Sequence, residues 1–174
     1  RMKLNKIKLK DKQLFDKYLS FAEHQLAAFS FANIYIWQVL YDIKWTIIEN
    51  SLCIFFQDKI GCFMYLPPLA KEKHPRVLKQ VFEIMDSFNA NKDVSRIENI
   101  PQEDLEYYRI LGYLSHKKFP DYLCSRSDLA NLKGNKFKSQ RAAYNYFIKH
   151  YPFSAAKLKP IDRADCLRLF STWI

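Results

Sequence analysis

Apolar and polar positions change rhythm several times along the chain, and each change marks an element. Lys3 to Leu9 alternates and reads as a first strand. Asp11 then precedes Leu14, Phe15, Tyr18 and Leu19, the spacing of a helix with Asp11 as its cap. Ser30 to Leu40 predicts a short helix capped by Ser30. Trp45 to Glu49, Leu52 to Gln57 and Gly61 to Leu66 are β-rich runs punctuated by Asn50-Ser51 and Asp58-Lys59, which predicts a meander of three antiparallel strands. With Gln57 opposite Gly61, paired residue numbers sum to 118. Pro67-Pro68 ends the third strand.

Pro75 suits a first helical position, and Val77, Leu78, Val81, Phe82, Met85 and Phe88 follow at helical spacing. Arg96 to Ile100 reads as a strand. Pro101 starts a helix with Glu103 and Asp104 in its first turn and Gly112 past its end. Leu114 to Lys117 and Tyr122 to Arg126 read as two further strands, broken at Pro120. Ser127 caps a short helix, Gly134 breaks the chain, and Phe137 to Tyr151 is a long helix. Ala155 to Leu158 is extended, and Asp162 opens a last helix still apolar at Phe170, Trp173 and Ile174. This order predicts an α+β fold with a central, mostly antiparallel sheet. Trp37, Trp45 and Trp173 are expected in the core. A chain that stops inside an amphipathic helix reads as part of a longer protein, and Met2, rather than Arg1, as its native start.

Composition narrows the function. Lys plus Arg is 28 against 18 Asp plus Glu, a net charge of +10, which favours an anionic partner. Only Gly61, Gly112 and Gly134 are glycines, so G-x-G-x-x-G and Walker-type phosphate loops are excluded by count. The longest charge-free stretch, Gln25 to Tyr41, has 17 residues and includes Gln25, Ser30, Asn33 and Gln38, too polar to span a bilayer. No export signal is read at the start, and no metal or cofactor is called for. His24, His74, His116 and His150 are scattered, and Cys53, Cys62, Cys124 and Cys166 show no zinc spacing. In the expected register Cys53 and Cys62 are not opposite one another, so free thiols and a reducing, cytoplasmic setting are expected.

Two segments carry candidate chemistry. In Tyr107-Tyr108-Arg109-Ile110-Leu111-Gly112-Tyr113 a helix ends at a glycine and an aromatic follows. With the order of elements before it, this resembles the late segment of the GNAT acyltransferase fold, in which the tyrosine matching Tyr108 acts as a general acid. The neutral phenol of tyrosine suits that role. The stretch where GNAT enzymes hold the acyl-CoA pyrophosphate is here Leu66 to Arg76, with three prolines and no glycine, which argues against a backbone cradle for that group. Lys71, Lys73 and Arg76 could still attract an anion, and read first as a solvated loop.

The second segment runs from Asp128 to Phe147. Between Lys133 and Lys149 lie Lys133, Lys136, Lys138, Arg141 and Lys149, with no acid among them. At about 100° per residue, Phe137, Tyr144, Phe147, Ile148 and Tyr151 form one stripe, expected to be buried. Lys138, Arg141, Asn145 and Lys149 adjoin it. Such a flank holds phosphate oxygens, and basic residues beside aromatics suit single-stranded nucleic acid.

Serine-aspartate-leucine, then leucine-x-glycine, then a basic helix resembles the phosphatidylglycerol lysyltransferase C-terminal domain family. Phe31 to Trp37 and Tyr65 to Leu69 echo the same family. The resemblance implies two GNAT-like domains in tandem and transfer of an aminoacyl group from aminoacyl-tRNA to a lipid hydroxyl. Arg141 matches the family motif, whereas Gln140 and Ala142 stand where lysine and asparagine are usual. On this reading residues 3–126 form a GNAT-like domain, 127–160 a basic helical connector, and 161–174 the start of a second such domain. The expected function is aminoacyl-tRNA-dependent transfer to a lipid or amine acceptor, with Tyr108 as acid and Lys133, Gly134, Lys136, Lys138, Arg141 and Asn145 binding the donor. The expected partners are aminoacyl-tRNA, an anionic phospholipid at the inner membrane face and the second domain. The alternatives are a non-catalytic RNA- or anionic-lipid-binding module and an acyl-CoA-dependent N-acetyltransferase.

Overall fold

The structure, a computed structural model, describes residues 3–22, 26–119 and 121–172. His24, Gln25, Pro120, Trp173 and Ile174 lie outside the described residues. The chain divides into two compact units, Arg1–Tyr122 and Leu123–Ile174.

The first unit is built on the sheet β1 (Asn5–Lys6), β2 (Asp42–Ile48), β3 (Ser51–Gln57) and β4 (Cys62–Met64), antiparallel and in chain order. With helices before and after the sheet, this is the α+β class. The β2–β3 hairpin turns at Glu49 and Asn50, both at positive φ, as a two-residue turn that matches strand twist requires. Gln57 pairs with Cys62, so partner numbers sum to 119 and the expected register is corrected by one residue. Gly61 is required by a close approach: a Cβ there would lie 2.5 Å from Asn89 Oδ1 and 2.8 Å from Val94 Cγ1.

β3 is buried on both faces, and its alternation divides the core in two. Leu52, Ile54 and Phe56 pack with Phe15 and Leu19 of α1 (Lys12–Leu19) and with Phe31 and Ile34 of α2 (Phe31–Ile36). Cys53 and Phe55 face Val77, Val81 and Met85 of α3 (Pro75–Phe88). Ser30 caps α2 by accepting from Asn33 N–H, and Pro75 occupies the first turn of α3, both as the pattern predicts. Asp11 precedes α1 without a capping bond to it. Its carboxylate accepts instead from Lys8 N–H and the Trp45 indole.

Beyond β4 the sheet gains one parallel bridge, Met64 with Ile97, in place of the strand expected over 96–100. The segment 102–104 is a 3-10 turn leading into α4 (Leu105–Ile110), and Gly112 follows at φ 84°. The expected strands at 114–117 and 122–126 do not form. A short β-rich run is stable only against a partner, and Leu114 and Tyr122 are exposed over their length.

The second unit contains α5 (Arg126–Asn131), α6 (Lys138–His150) and α7 (Arg163–Ser171). Ser125, not Ser127, caps α5, accepting from Asp128 N–H. None of this unit's described residues is buried. The aromatic stripe expected to be buried on α6 is half-exposed instead: Tyr144, Phe147 and Tyr151 all keep about half their surface in solvent. Helical periodicity identifies an apolar face, but it does not supply a layer to cover it. Trp37 also departs from expectation, at 37% exposure. Cys124 is exposed and in no strand.

Candidate anion-binding corner of the second unit

The candidate donor-binding residues cluster where α5 turns into α6. Leu132 ends α5 in the left-handed region, φ 49°, and Gly134 follows at φ 87°. Their carbonyls would face solvent without a partner, and Arg141, one turn into α6, supplies it. Its Nη1 donates to Leu132 O and, at 2.7 Å, to Gly134 O. Arg141 is therefore first a clamp on the corner. Nε and Nη2 have no partner among the described residues and retain the geometry to fork onto an oxyanion.

Lys136 Nζ pairs with Asp128 Oδ2 at 2.7 Å and lies 5.0 Å above the Phe137 ring. An acid five residues before the basic run thus neutralises one of its charges, a correction to the uncompensated run read from sequence. Lys133, Lys138 and Asn145 are exposed and have no side-chain partner among the described residues. Lys138, Asn145 and Lys149 share one sector of α6, since seven and eleven residues are close to whole numbers of turns. Beside them the ring of Tyr146 stacks on His150 at 4.1 Å, and Phe147 stacks on Tyr151 at 5.4 Å. The corner presents fixed positive charge next to exposed aromatic faces, which is the chemistry that holds phosphates and unpaired bases.

Tyr108 belongs to the first unit. It is 6% exposed and edge-on to Tyr107 and Tyr113, and burial pushes its pKa upward, with Asp104 adding to the shift. It is a neutral phenol in a packed aromatic cluster. Lys73, expected to be solvated, pairs with Asp104, and Lys71 lies over the Phe21 ring at 5.6 Å. Cys53 and Cys62 are free and buried, with burial pushing their pKa values up to about 12 and about 11, so both are thiols at neutral pH. Among the described residues no group of His, Cys, Asp and Glu is arranged to hold a metal ion, and no helix is long and apolar enough to cross a membrane.

One further polar cluster was not found from sequence. Tyr65 Oη donates to Asn33 Oδ1 at 2.9 Å, joining the end of the sheet to α2. The only signal for it was that both residues lie in the segments, Phe31 to Trp37 and Tyr65 to Leu69, that echo the family.

The chain's fold is shared with a structure titled "Crystal Structure of Conserved Protein of Unknown Function from Bacteroides thetaiotaomicron VPI-5482", at a TM-score of 0.81 and 24% identity. The match covers 99% of this chain and 59% of that one, so this chain spans about three-fifths of that structure's length. No curated protein matches. The family model described as "Phosphatidylglycerol lysyltransferase, C-terminal" matches residues 20–174, and the chain belongs to that family.

Proposed function

We propose that the chain is an acyltransferase part that takes an aminoacyl group from aminoacyl-tRNA and passes it to a lipid or amine acceptor. The observation that carries this reading, beside the family, is the Arg141-clamped corner with its unpaired Lys133 and Lys138. Lys133, Lys138 and Arg141 hold donor phosphates, Lys136 joins them only as far as it leaves Asp128, Gly134 shapes the loop and Asn145 adds an amide. The acceptor attacks the ester carbonyl directly, and no covalent enzyme intermediate forms. The acid role of Tyr108 rests on the resemblance alone. Anionic phospholipid at a membrane surface is the acceptor side of the same reading, and a second GNAT-like domain, beginning near residue 161, completes it.

The test is tRNA binding at two salt concentrations, charged against uncharged. Log affinity is expected to fall linearly with log salt, by about 0.7–0.9 per phosphate contacted. Arg141→Ala is expected to weaken binding by about tenfold, the scale of one lost charge-assisted hydrogen bond. Salt-independent binding, or none, overturns the reading. A second reading, a binding module without transfer, is favoured by Gln140 and Ala142 at motif positions. It predicts salt-sensitive binding with no preference for the charged form.

A further inference from the structure

Two segments of the first unit, far apart in sequence, put bare apolar side chains at one end of the sheet. Ile36 closes α2, Val39 ends the 3-10 turn Trp37–Val39, and Leu40 follows it. Val39 and Leu40 are three and four residues on from Ile36, so the three side chains share a face. Ile60 stands in the β3–β4 turn. Ile36 is 61% exposed, Leu40 66%, Ile60 78% and Val39 85%. Leu40 and Ile60 line one hollow of about 780 Å³, with Asp42, Lys44, Asp58 and Lys59 among its other walls.

The fold does not need these side chains. The β3–β4 turn is held by Asp58, whose Oδ1 accepts from Ile60 N–H at 2.8 Å and Gly61 N–H at 3.0 Å, and whose N–H donates to Gly61 O at 3.1 Å. Ile60 gives that turn only its backbone, where polar residues are usual. The 3-10 turn closes through Leu40 N–H and Trp37 O, which any side chain at 39 or 40 allows. Single exposed apolar residues are ordinary. Four gathered from two segments, two of them in one hollow, form a patch, and such patches mark surfaces that meet a partner.

The surrounding charges select the partner. Lys59, next to Ile60, is exposed and has no side-chain partner among the described residues. Lys44 and Lys6 hold Asp42 at 2.8 Å and 3.6 Å, and the hydrogen bond from Lys44 keeps that carboxyl below its ordinary pKa. Asp58 is engaged by the turn. Three ammonium groups therefore stand against two occupied carboxylates, and the excess is positive. Trp37 lies edge-on to Tyr41 at 6.2 Å in the same stretch. Apolar tips flanked by lysines and by Trp and Tyr match an anionic bilayer surface. There the tips enter the acyl boundary, the ammonium groups stay with phosphates, and the amphipathic rings sit at head-group level.

We propose that the patch of Ile36, Val39, Leu40 and Ile60 seats the first unit on an anionic phospholipid surface. This rests on the reading above that a lipid is the acceptor, and it adds how the chain reaches that acceptor.

The test is co-sedimentation of the full chain with vesicles, in the absence of tRNA. Binding is expected to vesicles of phosphatidylglycerol mixed with phosphatidylcholine, and to be about tenfold weaker or more to phosphatidylcholine alone. The double variant Leu40→Ser with Ile60→Ser is expected to weaken binding about tenfold or more, because two large apolar side chains no longer leave water. Its unfolding transition should match the parent's, since both positions are exposed. Lys59→Gln should cost about fivefold, on the mixed vesicles only. Ile60→Trp should give emission that moves to the blue on the same vesicles. Phe147→Ala, on the bare stripe of the second unit, should leave binding unchanged. Full binding by the folded double variant, or loss in Phe147→Ala instead, overturns the seat. Self-association of the parent that the double variant abolishes, with vesicle binding untouched, overturns it in favour of a second copy of the chain. The double variant should bind tRNA as the parent does. Vesicle binding through these residues without any tRNA binding keeps the seat and removes tRNA as the donor. Binding of tRNA without vesicle binding removes the seat and leaves the donor side of the acyl-transfer reading.

Discussion

In the first unit every residue of β3 from Ser51 to Phe56 is buried, whereas in the second no described residue is. Large apolar side chains are denser in β3 (Leu52, Ile54, Phe55, Phe56) than in α6 (Tyr144, Tyr146, Phe147, Ile148), but both carry them. The difference lies in what covers those side chains. β3 has α1 and α2 on one face and α3 on the other. α6 has an apolar stripe of the same chemistry and, among the described residues of its unit, no layer upon it. The second unit is held by local contacts instead: the Ser125 cap, the Arg141 clamp, the Lys136–Asp128 pair and stacked rings along α6. Such contacts set the shape of a corner, and they contribute far less stability than a core.

Paired truncations make that difference measurable. Phe56→Ala, in the middle of the sheet, is expected to cost about 3–5 kcal/mol in denaturant unfolding. Phe147→Ala, at 46% exposure, is expected to cost about 1 kcal/mol or less. Equal costs would mean that the aromatic face of α6 is covered in solution, and the contrast between the units would fail.

Asn89 sharpens the same contrast with a polar group. It is 7% exposed, accepts from Cys62 N–H at 2.6 Å, and donates to Cys62 O at 2.8 Å and Ser95 Oγ at 2.9 Å. Asn89→Ala leaves two buried backbone groups of β4 unpaired, with an expected cost of about 1–3 kcal/mol. Arg141→Ala also removes a side chain that serves two carbonyls, but these carbonyls are near solvent. About 1 kcal/mol of local stability should go, read as faster hydrogen exchange between Gly134 and Arg141 with the amides of β3 unchanged. If exchange in β3 rises too, the units do not open independently.

What was legible in the sequence follows the same division. Ser30, Pro75, Gly112 and Asp162 announce helix boundaries because their chemistry acts within one turn. The apolar run of β3 announces a strand because burial on both faces leaves no polar position between Leu52 and Phe56. The register was missed by one residue because it depends on the turn at Asp58 to Gly61, where Asp58 Oδ1 accepts from both Ile60 and Gly61 N–H. Strands at 114–117 and 122–126 were over-read because pairing needs a neighbour that local pattern does not reveal. The Lys136–Asp128 pair and the Tyr65–Asn33 bond were hidden for the same reason, since spacings of eight and 32 residues carry no local signal.

Two ion pairs, one in each unit, yield the smaller effects. Burial acts to raise the pKa of Glu98, but hydrogen bonds from Lys118 and Arg96 outweigh it and hold it below the ordinary value of 4.5. A carboxyl with a lowered folded pKa adds stability above its unfolded pKa and loses it as pH falls through the folded one. Glu98→Gln should therefore be less stable than the parent at pH 7, and the gap should close as pH drops below 4.5. A gap that persists at acid pH would mean that packing, not charge, is what Glu98 contributes.

The Asp128–Lys136 pair is exposed, and its removal is expected to move stability by about 0.5 kcal/mol or less. Its effect on binding has the opposite sign to that of Arg141→Ala. Asp128→Asn leaves the backbone N–H that Ser125 caps, and it releases Lys136 for an anion. If the corner exists to hold phosphate, Asp128→Asn should bind tRNA more tightly and with a steeper salt dependence, by about one further counterion. Arg141→Ala should bind less tightly, because it removes a donor to phosphate and loosens the loop it clamps. A variant at Asp128 that leaves both affinity and salt slope untouched would place the bound phosphates elsewhere and reduce the clamped corner to a piece of local architecture.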